Sequence, residues 1–245
     1  MFKFIKNISS SSGFSDEINP AREILKEATA LKKEKKYNEA CKKLKEAYAA
    51  KGASELMIEE RLRLPMYLQL ANKNDEGWRI LNELNSKYTG PISQAKIANQ
   101  MRVFLQNEKK YTQAILMAAW CICKDVELNR SNMQDSIERA DWKATDGLFI
   151  SSIIDDKKMV YGKTPKGNPI KDPAYKIFID NINEITSTDG IVRSMLPLLK
   201  KAKKEKVAEN LSSSISEYLK SSECYDLIEV RSIVNRFLSN KEDSV

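Results

Sequence analysis

A near-verbatim repeat constrains this chain more than any single residue does. The stretch Glu34-Lys35-Lys36-Tyr37-Asn38-Glu39-Ala40 returns as Asn107-Glu108-Lys109-Lys110-Tyr111-Thr112-Gln113-Ala114, with a weaker copy at Asn72-Lys73-Asn74-Asp75-Glu76-Gly77. Ala40, Gly77 and Ala114 close the three copies at a step of 37 residues. Leu31, Leu68 and Leu105 keep the same step before the turn; Leu44, Leu81 and Ala118, then Ala47, Leu84 and Cys121, keep it afterwards. A fixed period of this length is the signature of a helical array. In the first copy, Ile24, Leu25, Ala28 and Leu31 recur at helix spacing, and so do Ala40, Leu44, Ala47 and Tyr48 beyond the turn. Asn19-Pro20 reads as the start of the first helix. The small residues stand where two helices would approach most closely. One hairpin cannot bury its own apolar face, so about three must stack before such a fold is stable.

On these leucine, Tyr37/Tyr111, Ala40/Gly77/Ala114 and Ala47/Leu84/Cys121 series, residues 20–124 resemble the tetratricopeptide repeat family. The resemblance implies an all-α protein: a hairpin array, a right-handed α-solenoid, with repeats over about 20–53, 54–91 and 92–125. The 37-residue step exceeds the ~34 usual in that family and implies longer joining turns. The family's early Trp is missing from all three copies, and its small mid-helix residue, present as Ala28, becomes Pro65 and Arg102. Pro65 is expected to kink or split its helix.

Elsewhere the chain reads more plainly. Residues 1–19 are expected to be a flexible tail with a serine run at Ser9 to Ser12. Lys51-Gly52-Ala53-Ser54 marks a helix end and a new cap at Ser54. After Asp125 the period disappears, and residues 126–245 read as a C-terminal helical region that caps the array. A helix is expected from Ser131 to about Ile154, a long loop or small hairpin over 155–173, and helices over Ala174–Ile185, Ile191–Lys204, Val207–Leu219 and Tyr225–Leu238.

Composition excludes several chemistries. There is no His among 245 residues, which removes the commonest general base and every Ser-His or Cys-His dyad. Gly162-Lys163-Thr164 resembles the end of a phosphate loop, but position 157, where such a loop needs Gly, is Lys. Asp155-Asp156 lacks the further oxygen ligands a cation site requires. Cys41, Cys121, Cys123 and Cys224 show no zinc-type spacing. No cofactor motif is present, and the expectation is a non-enzyme. No apolar run approaches the ~20 residues of a membrane span. The lack of a secretory signal pattern points to the reducing cytoplasm.

Charge is unevenly spread. Residues 1–125 hold 22 Lys+Arg against 15 Asp+Glu, whereas residues 126–245 hold 19 against 19. The excess on the repeat half suits an acidic partner, although solvated helix faces are commonly Lys-rich as well. By the resemblance, the first helix of each hairpin lines a groove. Its positions would be Arg22, Leu25, Lys26, Thr29, Lys32 and Lys33, then Glu59, Leu62, Arg63, Met66 and Gln69, then Lys96, Asn99, Gln100, Val103 and Gln106. Such a mixture of cations and amides can hold an acidic peptide or protein segment through charge-assisted hydrogen bonds. The clamp that some family members use for a chaperone's terminal carboxylate is matched only at Lys96. Two other readings stand beside this one. Nucleic acid could bind the face of Lys32, Lys33, Lys35, Lys36, Lys42, Lys43 and Lys45, and an enzyme site could lie in the C-terminal half near 155–173.

Overall fold

The computed structural model describes residues 19–146 and 159–239. Most of the expected N-terminal tail, the end of the helix expected to Ile154, and Asp155-Asp156 lie outside the described residues. What is described is all-helical apart from one small hairpin. Two compact units divide the chain between Gly77 and Trp78.

The first unit opens with α1 (Pro20–Lys33) and α2 (Tyr37–Ala49), which pack against each other. Asn19 caps α1: its Oδ1 accepts the N–H of Ala21 at 3.0 Å, while its Nδ2 donates to the Gly52 carbonyl at 3.2 Å. Gly52 has φ +85°, and a Cβ there would stand 2.5 Å from Asn19 Oδ1. Glycine is therefore required for two separate reasons. Ser54 lies within a short 3-10 turn and does not cap the next helix. The second copy's leading helix is divided into α3 (Ile58–Arg61) and α4 (Arg63–Leu70), with Pro65 in the first turn of α4. Proline has no N–H to give the Arg61 carbonyl; the Tyr48 hydroxyl donates to that carbonyl instead, at 3.1 Å.

The 37-residue period is written into the backbone. Lys36, Lys73 and Lys110 donate their N–H to the carbonyls of Leu31, Leu68 and Leu105 at 2.9, 2.8 and 3.0 Å. The residues just before them, Lys35, Asn72 and Lys109, have φ of 62°, 59° and 58°. These are Schellman endings, which satisfy helix carbonyls by turning one residue left-handed. The next helices in each case are α2, α5 (Asn74–Lys87) and α7 (Tyr111–Asp146).

In the second unit, α6 (Pro91–Asn107) packs on the start of α7. The break expected after Asp125 is absent: α7 runs unbroken to Asp146, so no separate helix begins at Ser131. No Gly or Pro occurs between Tyr111 and Asp146, so nothing local stops the helix. Then β1 (Gly162–Lys163) and β2 (Pro169–Ile170) pair antiparallel. After them come α8 (Pro173–Thr186), α9 (Thr188–Lys201), α10 (Ala208–Ser221) and α11 (Leu227–Leu238). The stretch Ser187–Gly190, read as a break, caps and opens α9, the Ser187 Oγ accepting the Gly190 N–H at 3.0 Å. Ile115, Ile122 and Val126 of α7 share a core with Ile191, Met195 and Leu199 of α9, Leu211 and Ile215 of α10, and Val234 of α11. Arg130 of α7 donates to the carbonyls of Leu219, Ser222 and Glu223 at 3.3, 3.2 and 3.0 Å, supplying the last turn of α10 with donors.

The β-hairpin is tied to α7 and α8 by two carboxylates. Asp141 accepts from Asn168 Nδ2 at 2.8 Å, and hydrogen bonds from Thr164 and Asn168 hold its pKa below the ordinary carboxylate value. Asp172 is also held below that value: burial opposes its ionisation, but the Ala174 N–H, Arg139 and Ser136 outweigh it. A depressed folded pKa contributes stability above the unfolded value of ~3.9 and loses it as pH falls through the folded one. Asp172→Asn keeps an N-cap and removes that titration. Its melting temperature is expected to fall less steeply than wild type between about pH 4 and pH 2. The left-handed turns give a second test, in urea denaturation. Lys109→Gly should raise stability by about 0.5–1 kcal/mol, and Gly52→Ala should lower it by about 1–3 kcal/mol.

Candidate functional site

On α1, Arg22, Lys26, Thr29 and Lys33 succeed one another at steps of four, three and four residues, which sets them on one face. The neighbouring turn, Ala21, Leu25 and Ala28, is buried and anchors the helix. Opposite this face stand Glu60, from α3, and Arg63, at the start of α4. Together with Leu25 and Ala30 they line an open cleft of about 470 Å³ within the first unit.

The cleft holds four cations and one carboxylate. Arg22 Nε lies 3.6 Å from Glu60 Oε1. Lys26 Nζ lies 2.7 Å from Glu23, which does not line the cleft. Thr29 donates its hydroxyl to the Leu25 carbonyl at 2.8 Å and accepts Arg63 Nη1 at 3.4 Å. Arg63 is thereby oriented by a neutral group. Among the described residues, neither Arg63 nor Lys33 has a carboxylate at salt-bridge distance. Such an arrangement can receive an anion between fixed donors, above a small apolar floor.

Five of the positions expected from the sequence meet here: Arg22, Lys26, Thr29, Lys33 and Arg63. Lys32 is half-buried beside the cleft, and Glu59, Met66 and Gln69 do not line it. Glu60 stands in place of Glu59. The sequence reading treats the second copy as one straight helix, and the division at Leu62 puts α3 in a different rotational phase. The signal that could have located Glu60 is the offset introduced by Pro65.

The remaining candidates belong to the second unit, on α6. Arg102 donates to Asn99 Oδ1 at 2.8 Å and to Gln106 Oε1 at 2.8 Å, so both amides are engaged along their own helix. Lys96, Gln100 and Val103 are half-buried there.

The lysine face of α1 and α2 is largely answered by acids. Lys36 meets Glu34 at 2.9 Å, Lys43 meets Glu46 at 2.9 Å and Glu27 at 3.2 Å, and Lys45 meets Glu76 at 2.7 Å. Burial pushes the Cys121 and Cys123 thiols up to about 12, so both are protonated at neutral pH. Among the described residues no group of three His, Cys, Asp or Glu could hold a metal ion, and no helix is long and apolar enough to cross a membrane.

One side chain ties α2 to the α3 wall. The Tyr48 hydroxyl donates to the Glu60 carbonyl at 2.6 Å and lies 3.1 Å from that of Arg61, with burial raising its pKa above the ordinary phenol value. Tyr48→Phe leaves both carbonyls without this donor, and a loss of about 1–3 kcal/mol is expected in urea denaturation. No protein-family model, no curated protein and no solved structure matches the chain.

Proposed function

We propose that this protein is a tetratricopeptide-like adaptor whose first unit binds a short acidic stretch of a peptide or protein in the cleft between α1 and the α3–α4 pair. The observation that carries the reading is the pairing pattern inside that cleft. Arg63 is braced by a hydroxyl, Lys33 has no carboxylate partner among the described residues, and both border an apolar floor. Cations buried in ion pairs have little left to offer a ligand, whereas a guanidinium held by a neutral acceptor keeps its bidentate edge for a carboxylate. The turns at Lys35, Asn72 and Lys109, built alike at the sequence period, support the repeat assignment.

Nucleic-acid binding is the weaker reading. Lys36, Lys43 and Lys45 of the proposed basic face are each paired with a glutamate, and a phosphate backbone would have to displace those partners.

Fluorescence anisotropy with a labelled glutamate-rich dodecapeptide tests the proposal, with a single-stranded oligonucleotide of equal charge as the other arm. Arg63→Glu and Lys33→Glu should each weaken peptide binding about tenfold or more, the scale of a charge-assisted contact. Lys42→Glu, exposed on α2, should change it by less than about twofold. Equal losses in all three variants, or binding of the oligonucleotide alone with a steep salt dependence, would overturn the reading.

A further inference from the structure

The cleft is not uniform along its length. Near the start of α1, Arg22 and Glu60 stand 3.6 Å apart and largely cancel. Arg63 reaches Thr29, seven residues further along, and Lys33 comes four residues later. Seven residues of helix span about 10 Å and four more about 6 Å. One end of the cleft is therefore close to neutral, and the other carries cations with no carboxylate against them.

Glu60 is built into this arrangement. Its side chain is only 13% exposed. One carboxylate oxygen, Oε2, accepts the Met57 N–H at 2.8 Å and closes the first turn of α3. The other, Oε1, is turned towards Arg22. Tyr48 holds the same residue's backbone carbonyl at 2.6 Å. A carboxylate fixed at both its side chain and its backbone cannot swing aside when an anion enters.

We propose, resting on the acidic-peptide reading above, that Glu60 is the specificity-determining residue of the cleft. By neutralising Arg22 it restricts the anionic subsite to the Arg63–Lys33 end. The peptide that fits presents one acidic side chain there and an uncharged side chain at the Glu60 end. An extended chain advances about 3.3 Å per residue, so the two positions lie about three residues apart. A second acidic residue at that spacing meets Glu60 and is disfavoured. The cleft thus selects a charge pattern, with net charge secondary.

The test uses the full chain and two blocked hexapeptides, followed by NMR chemical-shift titration at 150 mM salt, on the order of physiological screening. Both peptides carry one glutamate; three residues away, one has alanine and the other a second glutamate. Glu60→Gln keeps an acceptor for the Met57 N–H, since capping boxes use Gln as well as Glu, and so preserves the turn. Glu59→Gln, next to it and exposed, makes the same change in net charge. Glu60→Gln is expected to tighten the two-glutamate peptide about threefold to tenfold, the scale of one partly exposed ion pair. It should leave the one-glutamate peptide within about twofold, and Glu59→Gln should move neither peptide beyond that. Tightening of both peptides alike by both variants would overturn the proposal, because long-range charge would then explain everything. So would binding that Glu60→Gln leaves unchanged. If wild type binds neither peptide, the acidic-peptide reading itself falls and this inference with it. That outcome is distinguishable, because no variant then shows a difference.

Discussion

Each helix ending at Leu31, Leu68 and Leu105 must return its last carbonyls to a donor within one turn, and a left-handed residue is what makes this achievable. At Lys35, Asn72 and Lys109 the chain accepts an unfavourable φ so that the next N–H can reach back to the leucine carbonyl. Asn tolerates that region better than Lys does, yet Lys holds it twice. The same ending recurs after α9, where Lys203 has φ 57° and Lys204 donates to Leu199 at 2.8 Å. Each of these turns sets the geometry of the helix after it. The start of that helix, the burial of Leu44 and Leu81 one turn further in, and the phase of every side chain beyond are fixed there.

Proline in the second copy shows how one missing donor reshapes a surface. Pro65 cannot supply the Arg61 carbonyl, so the leading helix divides at Leu62 and Tyr48 crosses over from α2 to provide the missing bond. Glu60 is carried into the cleft as a result. In the first unit, then, a packing tyrosine, a helix break and the charge pattern of the cleft all stem from one backbone constraint.

The second unit is organised differently. Its axis is α7, long enough to pair with α6 at its start and with α8, α9 and α11 further on. The apolar stripe of α7 is buried from Ala114 to Val126. Beyond it, the contacts become polar: Arg130 at the end of α10, Ser136 and Arg139 on Asp172, and Asp141 on Asn168. This half holds as many acids as bases, and here its charges work mainly against one another.

Local chemistry alone determined the helices, their 37-residue recurrence and the Asn19-Pro20 start. These depend on periodicity and on residues near in sequence, where each carbonyl and its donor are a few positions apart. It also identified Arg22, Lys26, Thr29, Lys33 and Arg63 as sharing a surface, because helical spacing alone puts four of them on one face. It missed the continuity of α7, since loss of the repeat after Asp125 was read as loss of the helix, although no breaker was there. Only the tertiary structure decided which cations are already answered. Lys45 finds Glu76, Lys43 finds Glu27, and Arg63 finds a hydroxyl. Those partners lie 16 to 34 positions away, and Coulomb energy depends on distance through space, which the order of residues along the chain does not supply.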